Sequence, residues 1–400
     1  MKKLTTLFLL LTLIACGPAA VTTPTVASSP SSTPELTTAS TSSALIERCA
    51  EVLPDFPEGS IPPGILVVHS PGELVLLNFH QQTQRTISGL FEGVSTSPNG
   101  KWLSYFVVDS NQIELIVESA DGQKQAHLPF DSQAMVFDSI PWLDNERFWY
   151  PIWAGVDLSM DEYTYNPPTV VLNPFTGERQ ELLPDYPDFA PNIMHGFNKA
   201  IRLYFGSANV AYDPSLRYVV YAKFVDDAYY LVLWDRETKH ELAKIPDTGF
   251  FQRLPLWLPD GTAFLAAVTN PDGNNLSEWF MVSLDGESRQ LTHFGGGIGL
   301  NASLSLDGHY LAFGGFQNDP FTRMDLIILD LQTLKAVNTC VKFDYPSPIW
   351  SPDNQYLAVQ SWDVEKKQSF VAVVNPSQGW AVKVSNGINT EPSGWLDTKK

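Results

Sequence analysis

Positive charge and cysteine are both scarce in this 400-residue chain. Lysine and arginine total 25 against 44 aspartate and glutamate residues, so the formal net charge is −19. Nucleic acid and anionic membrane surfaces are poor partners for such a protein, and no nucleic-acid ligand is expected. The three cysteines are too few and too scattered for a paired-cysteine zinc motif. No apolar run after residue 15 is long enough to cross a bilayer.

Recognisable catalytic motifs are missing as well. The sequence has no Gly-x-Ser-x-Gly elbow and no βαβ pattern of an α/β-hydrolase. Residues 240–244 begin like a zinc-protease motif but lack its second histidine, and residues 295–299 lack the Lys-Ser/Thr of a phosphate loop. These absences favour a protein that is not an enzyme and that needs no cofactor. Clustered carboxylates could also hold a hard cation such as calcium.

Residues 1–16 have the order of an export signal. Lys2 and Lys3 precede an apolar run at residues 7–11, and a small residue, Ala15, stands before Cys16. The stretch Leu-Ile-Ala-Cys at 13–16 resembles a bacterial lipobox, and this resemblance implies cleavage before Cys16 and lipid attachment to its thiol. An ordinary signal peptide with an incidental cysteine is the alternative. The resemblance implies the outer membrane if the host has one, and otherwise the outer leaflet of the cell membrane.

Composition divides the chain into three segments. Residues 1–15 are the lipoprotein signal peptide, residues 16–45 are a Ser/Thr/Pro-rich tether with too little apolar content to pack, and residues 46–400 fold. Cys49 and Cys340 are the cysteines that remain. Because an exported protein meets an oxidising environment, they are predicted to form a disulfide, with two unpaired thiols as the alternative.

A turn motif repeats through the folded part. Its copies begin at Thr96, Trp142, Tyr212, Trp257, Leu304, Trp350 and Trp395, in steps of 46, 70, 45, 47, 46 and 45 residues. Only the second step breaks the period, which indicates one insertion of about 25 residues. Within each copy Pro presets φ, Asp or Asn bonds its own backbone, and Gly takes a left-handed conformation. The repeated acidic residues are therefore interpreted as architectural rather than catalytic or metal-binding.

A second turn lies about 25 residues after each copy, for example Asp121-Gly122 and Asp285-Gly286. Each follows a hydrophobic strand such as residues 326–329. The spacing predicts units of four antiparallel strands, with tight turns between the first and second strands and between the third and fourth. Such units are the blades of a β-propeller.

The motif Trp350-Ser-Pro-Asp-Asn followed by Leu357-Ala-Val resembles the repeat of TolB-like β-propellers, which also occurs in the propeller domains of prolyl oligopeptidase relatives. The resemblance covers residues 61–397 and implies a scaffold, a binding protein or an accessory domain. Strands at 65–68 and 74–77 have no motif before them, and the motif at Trp395 has no strands after it. We therefore expect an all-β single propeller of seven four-stranded blades, closed by a C-terminal strand that completes the first blade.

Blade geometry sorts the connections onto two faces. The tight turns lie on one face, which we call the turn face. Loops between second and third strands, and links between blades, lie on the other, which we call the loop face. The insertion falls there, at residues 153–168 and 184–210. These segments contain Tyr186, and the candidate ligand residues of the loop face are Asp157, Asp161, Glu162, Tyr163, Tyr165, Asp226, Asp227 and Trp362.

Two function classes remain open. The first is a monomeric, noncatalytic binding or scaffolding lipoprotein of the bacterial envelope, which presents this acidic, aromatic face to a peptide, protein or glycan. The second is an envelope enzyme of the glycoside hydrolase or lyase type, with carboxylates from several blades. The lack of a catalytic set favours the first.

Overall fold

Short antiparallel strands joined by tight turns make up the regular structure of the protein. The computed structural model describes residues 45–109, 112–130, 142–151, 168–183, 185–186, 210–226, 228–247, 255–269, 277–295, 298–315, 324–343, 347–363, 365–387 and 390–398. These residues contain no helix. The predicted signal peptide and Cys16 lie outside the described residues, as does nearly all of the predicted tether.

The strands are numbered in chain order. They are β1 (Leu45–Glu47), β2 (Glu51–Leu53), β3 (Ile65–Ser70), β4 (Glu73–Asn78), β5 (Thr83–Ser88), β6 (Phe91–Thr96), β7 (Trp102–Asp109), β8 (Gln112–Ser119), β9 (Gln125–Phe130), β10 (Phe148–Pro151), β11 (Thr169–Leu172), β12 (Arg179–Leu182), β13 (Val210–Tyr212), β14 (Tyr218–Val225), β15 (Ala228–Asp235), β16 (His240–Asp247), β17 (Leu256–Trp257), β18 (Ala263–Thr269), β19 (Ser277–Ser283), β20 (Ser288–Gln290), β21 (Ile298–Leu304), β22 (Tyr310–Gly315), β23 (Met324–Asp330), β24 (Ala336–Phe343), β25 (Ile349–Trp350), β26 (Leu357–Asp363), β27 (Gln368–Asn375), β28 (Trp380–Gly387) and β29 (Glu391–Leu396).

Seven separate sheets form the blades of one propeller, which confirms the predicted fold. Blade 1 has the order β29-β3-β4-β5, and blades 2, 4 and 5 each use four consecutive strands beginning at β6, β13 and β17. Blade 3 contains β10, β11 and β12, and an isolated bridge between Trp142 and Phe148 occupies the place of its innermost strand. In blades 6 and 7 the innermost strands are β21 and β25, and each blade gains a fifth strand at its outer edge.

The core lies between the blades. Alternate residues of a strand point to opposite faces of its sheet, so each blade packs against both neighbours. In β14, Val219 and Tyr221 belong to the cluster shared with blade 3, while Val220 belongs to the cluster shared with blade 5. Seven such clusters occur among the described residues, one at each seam of the ring.

The C-terminal strand closes the ring as predicted. β29 pairs antiparallel with β3, and Trp395 and Leu396 are 3% and 0% exposed. The Trp395 indole donates to the Pro63 carbonyl at 2.8 Å, and the Asp397 amide donates to the Gly100 carbonyl of blade 2 at 2.7 Å. Gly394 allows the two blades to meet, because a Cβ there would stand 2.3 Å from Thr96 Cγ2.

The fifth strands were not anticipated from the sequence. β1 pairs parallel with β24, the outer strand of blade 6, and β2 pairs parallel with β28, the outer strand of blade 7. Between them, Cys49 forms a disulfide with Cys340 of β24, which confirms the predicted pairing. Cys340 has a φ of +56° beside an irregularity in the β23–β24 ladder.

The repeated tryptophan of the turn motif joins neighbouring blades. The Trp257 indole of blade 5 donates to the Ala211 carbonyl of blade 4 at 3.3 Å. The Trp350 indole of blade 7 donates in the same way to the Ser303 carbonyl of blade 6 at 3.3 Å. Both acceptors lie on the innermost strand of the preceding blade, so the motif fixes the spacing of the ring as well as the turn.

Replacing Trp350 by Phe is expected to lower the free energy of unfolding by about 1 to 2 kcal/mol, because it leaves the Ser303 carbonyl without this donor. Trp350→Ala should cost about 3 to 5 kcal/mol through lost packing, since Trp350 is 5% exposed. Urea unfolding measures both. Trp362→Phe, at a residue that is 36% exposed, is the control and should change stability less. An equal loss in the control would contradict the interblade role.

Candidate functional site

The two faces of the ring differ in how their polar residues are used. On the turn face, several of the described Asp and Asn residues accept hydrogen bonds from backbone amides of their own turns. Asp235 accepts the Glu237 and Thr238 amides at 2.9 and 3.2 Å, and Asp330 accepts the corresponding amides of its own turn at 2.9 and 3.0 Å. These bonds give both carboxylates a structural role within their own turns.

The serine of the turn motif completes this network. In blade 7 the Ser351 hydroxyl donates to Asp353 at 2.6 Å and accepts the Tyr356 amide at 3.0 Å. Blade 6 repeats the arrangement at Ser305, whose hydroxyl donates to Asp307 at 2.6 Å. One oxygen of the carboxylate therefore orients a hydroxyl that in turn accepts the amide of the next strand.

Electrostatics hold several turn-face carboxylates in the ionised form. The Arg217 guanidinium lies 2.8 Å from Asp235 and, with two backbone amides, lowers the pKa of that carboxyl to about 2. The Ser283 hydroxyl lowers the pKa of Asp285, and the Thr262 backbone amide lowers that of Asp260. Groups ionised and bonded in this way are unsuited to general acid catalysis.

Two of the eight candidate ligand residues lie in the described part of the chain. Asp226 is exposed, with a φ of +51°, in the turn between β14 and β15 of blade 4. Trp362 is 36% exposed near the end of β26 in blade 7. Both stand on the loop face, but two further blades separate them around the ring, so they do not form one pocket. The other six are Asp157, Asp161, Glu162, Tyr163, Tyr165 and Asp227, and they lie outside the described residues.

One aromatic residue assigned to the loop face has a different place. Tyr186 is 7% exposed and stacks on Tyr221 with ring centroids 4.5 Å apart, inside the core between blades 3 and 4. Its neighbour Asp185 pairs with Arg236 at 3.2 Å and also with Lys239, both in a turn-face loop of blade 4. This part of the link therefore packs between two blades instead of presenting side chains to a ligand.

Some buried polar residues of the loop face were not predicted from the sequence. Glu278 is 3% exposed and accepts the Phe294 and Gly295 amides at 2.9 and 3.1 Å, as well as the Thr292 hydroxyl. It thereby holds the start of the link between blades 5 and 6. The available signal was an acidic residue at the second position of the third strand, directly before the apolar run at residues 279–282.

Ser369 occupies the same position in blade 7. Its hydroxyl accepts the Thr390 amide at 2.7 Å and donates to the Gly387 carbonyl at 2.9 Å, across the link to blade 1. The loop face is therefore anchored at these seams by side chains that are not free to bind a ligand.

A histidine and a glutamate meet where the innermost strand of blade 1 begins. His69 Nδ1 and Glu391 Oε1 are 3.4 Å apart, and the two side chains are 23% and 35% exposed.

No group of three His, Cys, Asp or Glu residues within the described ranges is arranged to hold a metal ion. Those ranges also contain no helix long and apolar enough to cross a membrane.

The fold defines the protein as a seven-bladed β-propeller, and comparisons with known proteins place it among others of that architecture. No protein-family model and no curated protein matches the chain. Among solved structures, an oligogalacturonate lyase from Vibrio parahaemolyticus has a TM-score of 0.51 and 14% identity, covering 80% of this chain and 86% of that one.

Two further structures are similar over most of the chain. An oligogalacturonate lyase in complex with manganese has a TM-score of 0.51 and 12% identity, covering 84% of this chain and 86% of that one. TolB from Acinetobacter baumannii has a TM-score of 0.44 and 12% identity, covering 85% and 84%. Identities this low establish a shared fold and nothing about shared chemistry.

Proposed function

We propose that this protein is a noncatalytic binding or scaffolding lipoprotein of the bacterial envelope, which holds a peptide, protein or glycan on its loop face. The observation that carries the proposal is the exposure of an acidic and an aromatic side chain on the loop face. Asp226 is exposed in the turn between β14 and β15, and the Trp362 side chain is 36% exposed near the end of β26. An aromatic ring offers apolar area to a sugar or side chain, and a carboxylate accepts hydrogen bonds from hydroxyl or cationic groups.

Two exposed aromatic residues provide a matched test. Trp362 on the loop face and Phe175 on the turn face are 36% and 39% exposed. Immobilised protein should capture its partners from an envelope extract about tenfold less well when Trp362 is replaced by Ala, because this change removes roughly 1.4 kcal/mol of binding energy. Capture should persist in the control variant Phe175→Ala.

Replacement of residues 157–165 by a short Gly-Ser loop should abolish capture while the melting curve stays nearly unchanged. Retained capture with a collapsed melting curve would show that the insertion is structural.

Lipid attachment at Cys16 belongs to the same proposal and is tested separately. Cys16→Ser removes the thiol that would carry the lipid, so the protein should move from the detergent phase to the aqueous phase on partitioning. The unsubstituted protein, prepared from the same cells, is the reference. An unchanged partition would contradict the lipoprotein assignment while leaving the binding face untested.

The second candidate function is an envelope enzyme of the lyase type. The shared fold with two oligogalacturonate lyases, one of them in complex with manganese, is the observation that favours it. Incubation with oligogalacturonate and Mn²⁺ distinguishes the candidates, because a lyase forms an unsaturated product that absorbs in the ultraviolet. Product formation would replace the noncatalytic proposal.

A further inference from the structure

We infer that the Cys49–Cys340 disulfide determines where the described chain is first held on the ring, and that its reduction moves this point from the rim of blade 6 to the seam of blades 7 and 1. The segment concerned is residues 45–53, which we call the strap. It contains β1, β2 and the turn between them, and it lies across the outer edges of two neighbouring blades. The disulfide adds a covalent cross-link between the strap and the outer strand of blade 6.

Without the disulfide the strap has few contacts of its own. Each of its strands is three residues long. Between its two strands, the Arg48 amide donates to the Asn338 carbonyl at 2.9 Å, and the Ala50 amide donates to the Thr339 carbonyl at 2.8 Å. Leu45, Ala50 and Leu53 are partly buried against the core clusters, whereas Ile46 and Val52 are 44% and 77% exposed, so the apolar packing of the strap is confined to three side chains. Segments with these features open at low free-energy cost.

The chain after the strap is attached more firmly. Phe56 packs edge-to-face against Phe79 of blade 1 and Trp380 of blade 7, with ring centroids 5.0 and 5.9 Å apart. The Ser60 hydroxyl then donates to the Gln378 side chain at 3.1 Å. Release of the strap should therefore stop at Phe56. The freed residues 45–55 would lengthen the N-terminal chain by roughly 35 Å when extended.

The bond is accessible to a reductant. Cys49 is exposed and Cys340 is partly exposed, so a thiolate can approach Cys49 Sγ from solvent. A dithiol reductant attacks that sulfur, the S–S bond breaks, and the electron pair leaves with Cys340 Sγ, which takes a proton. The second thiol of the reductant then attacks the mixed disulfide and releases Cys49 as a thiol. The reductant becomes a disulfide, which balances the two electrons and two protons.

Reduction would also uncover the outer edges of β24 and β28. These strands are eight residues long, and the strap pairs with their first halves. Exposed strand edges invite pairing with another strand. The disulfide therefore couples two properties, the reach of the N-terminal chain and the protection of two edges, to one redox reaction.

Hydrogen exchange of the folded protein with and without dithiothreitol tests the inference. After reduction, verified by thiol mass, exchange of peptides covering residues 45–53 should accelerate at least tenfold, while peptides from the inner strands β22 and β26 stay protected. In the Cys49→Ser/Cys340→Ser variant, residues 45–53 should exchange at this faster rate whether or not dithiothreitol is present. In reduced Phe56→Ala the deprotected segment should extend toward Ser60.

Two results would overturn the inference. Unchanged protection of the strap in fully reduced protein would show that its hydrogen bonds suffice. Loss of protection throughout the ring would show that the disulfide maintains the propeller itself. Because the wild-type chain is reduced after folding, the test holds even if the double variant fails to fold.

Discussion

Removal of residues 391–400 is expected to prevent the isolated ring from folding as a stable monomer. The deletion takes away β29, the innermost strand of blade 1, and with it the fully buried Trp395 and Leu396 side chains. Truncation of two such residues costs about 3 to 5 kcal/mol for Trp and 2 to 5 for Leu, which approaches the whole stability of a typical domain. The deletion also exposes the inner edge of β3 and the apolar cluster at the seam of blades 1 and 2.

Circular dichroism melting and size-exclusion chromatography measure this outcome. We expect aggregation, or a melting temperature lowered by tens of degrees. A chain lacking only Lys399 and Lys400 is the control and should behave like the full-length protein. Trp395→Phe isolates the indole bond to Pro63 and should cost only about 1 to 2 kcal/mol. A deletion that leaves stability intact would contradict closure by β29.

Loss of the disulfide is the second large effect. Cys49 and Cys340 are separated by 291 residues, so the bond closes a long loop in the unfolded chain. The loop-entropy description gives a stabilisation of about 5 kcal/mol for such a closure, an upper value because native strain is ignored. Cys49→Ser/Cys340→Ser should therefore lower the melting temperature by roughly 5 to 10 °C.

Denaturant unfolding shows whether the lost stability comes from the unfolded or the folded state. If the bond acts mainly on the unfolded chain, the variant should show a larger m-value together with a lower midpoint, because its unfolded state is more expanded. Oxidised and reduced wild-type protein should reproduce the difference. Equal midpoints in all forms would contradict a stabilising role, and would leave the local release of the strap as a separate question for hydrogen exchange.

Local chemistry made the ring predictable from the sequence. A turn such as Ser351–Tyr356 is specified by its own residues, since Ser, Asp and the following strand satisfy one another's hydrogen bonds. Because this unit recurs at a nearly constant spacing, the number of blades and the closing role of Trp395 follow from counting. The disulfide followed from the predicted export signal and from the cysteine count, because Cys49 and Cys340 are the two cysteines that follow Cys16.

The candidate site was less accessible to sequence reasoning, because a ligand face depends on which residues are left unengaged after packing. Tyr186 is an aromatic residue of the kind that often binds ligands, but its ring stacks on Tyr221. The two residues are 35 positions apart in the sequence, so no local pattern predicts this contact. Glu278 was not predicted to have a role, although its carboxylate accepts the Phe294 amide and so holds the link between blades 5 and 6. Asp226 lies just after the second strand of its blade and Trp362 near the end of the second strand of its own, yet only the ring geometry shows that two further blades lie between them.

The sequence by itself therefore determined the repeat, its turns, the seven blades and the pairing of the two cysteines, because each rests on short-range backbone preferences or on counting. The tertiary structure alone decided that residues 45–53 become fifth strands on blades 6 and 7, and that the start of the insertion's second part fills the seam between blades 3 and 4. Three-residue strands have no sequence signal of their own. Their position follows from the unpaired edges of β24 and β28 and from where Cys340 lies, and both exist only once the ring has formed.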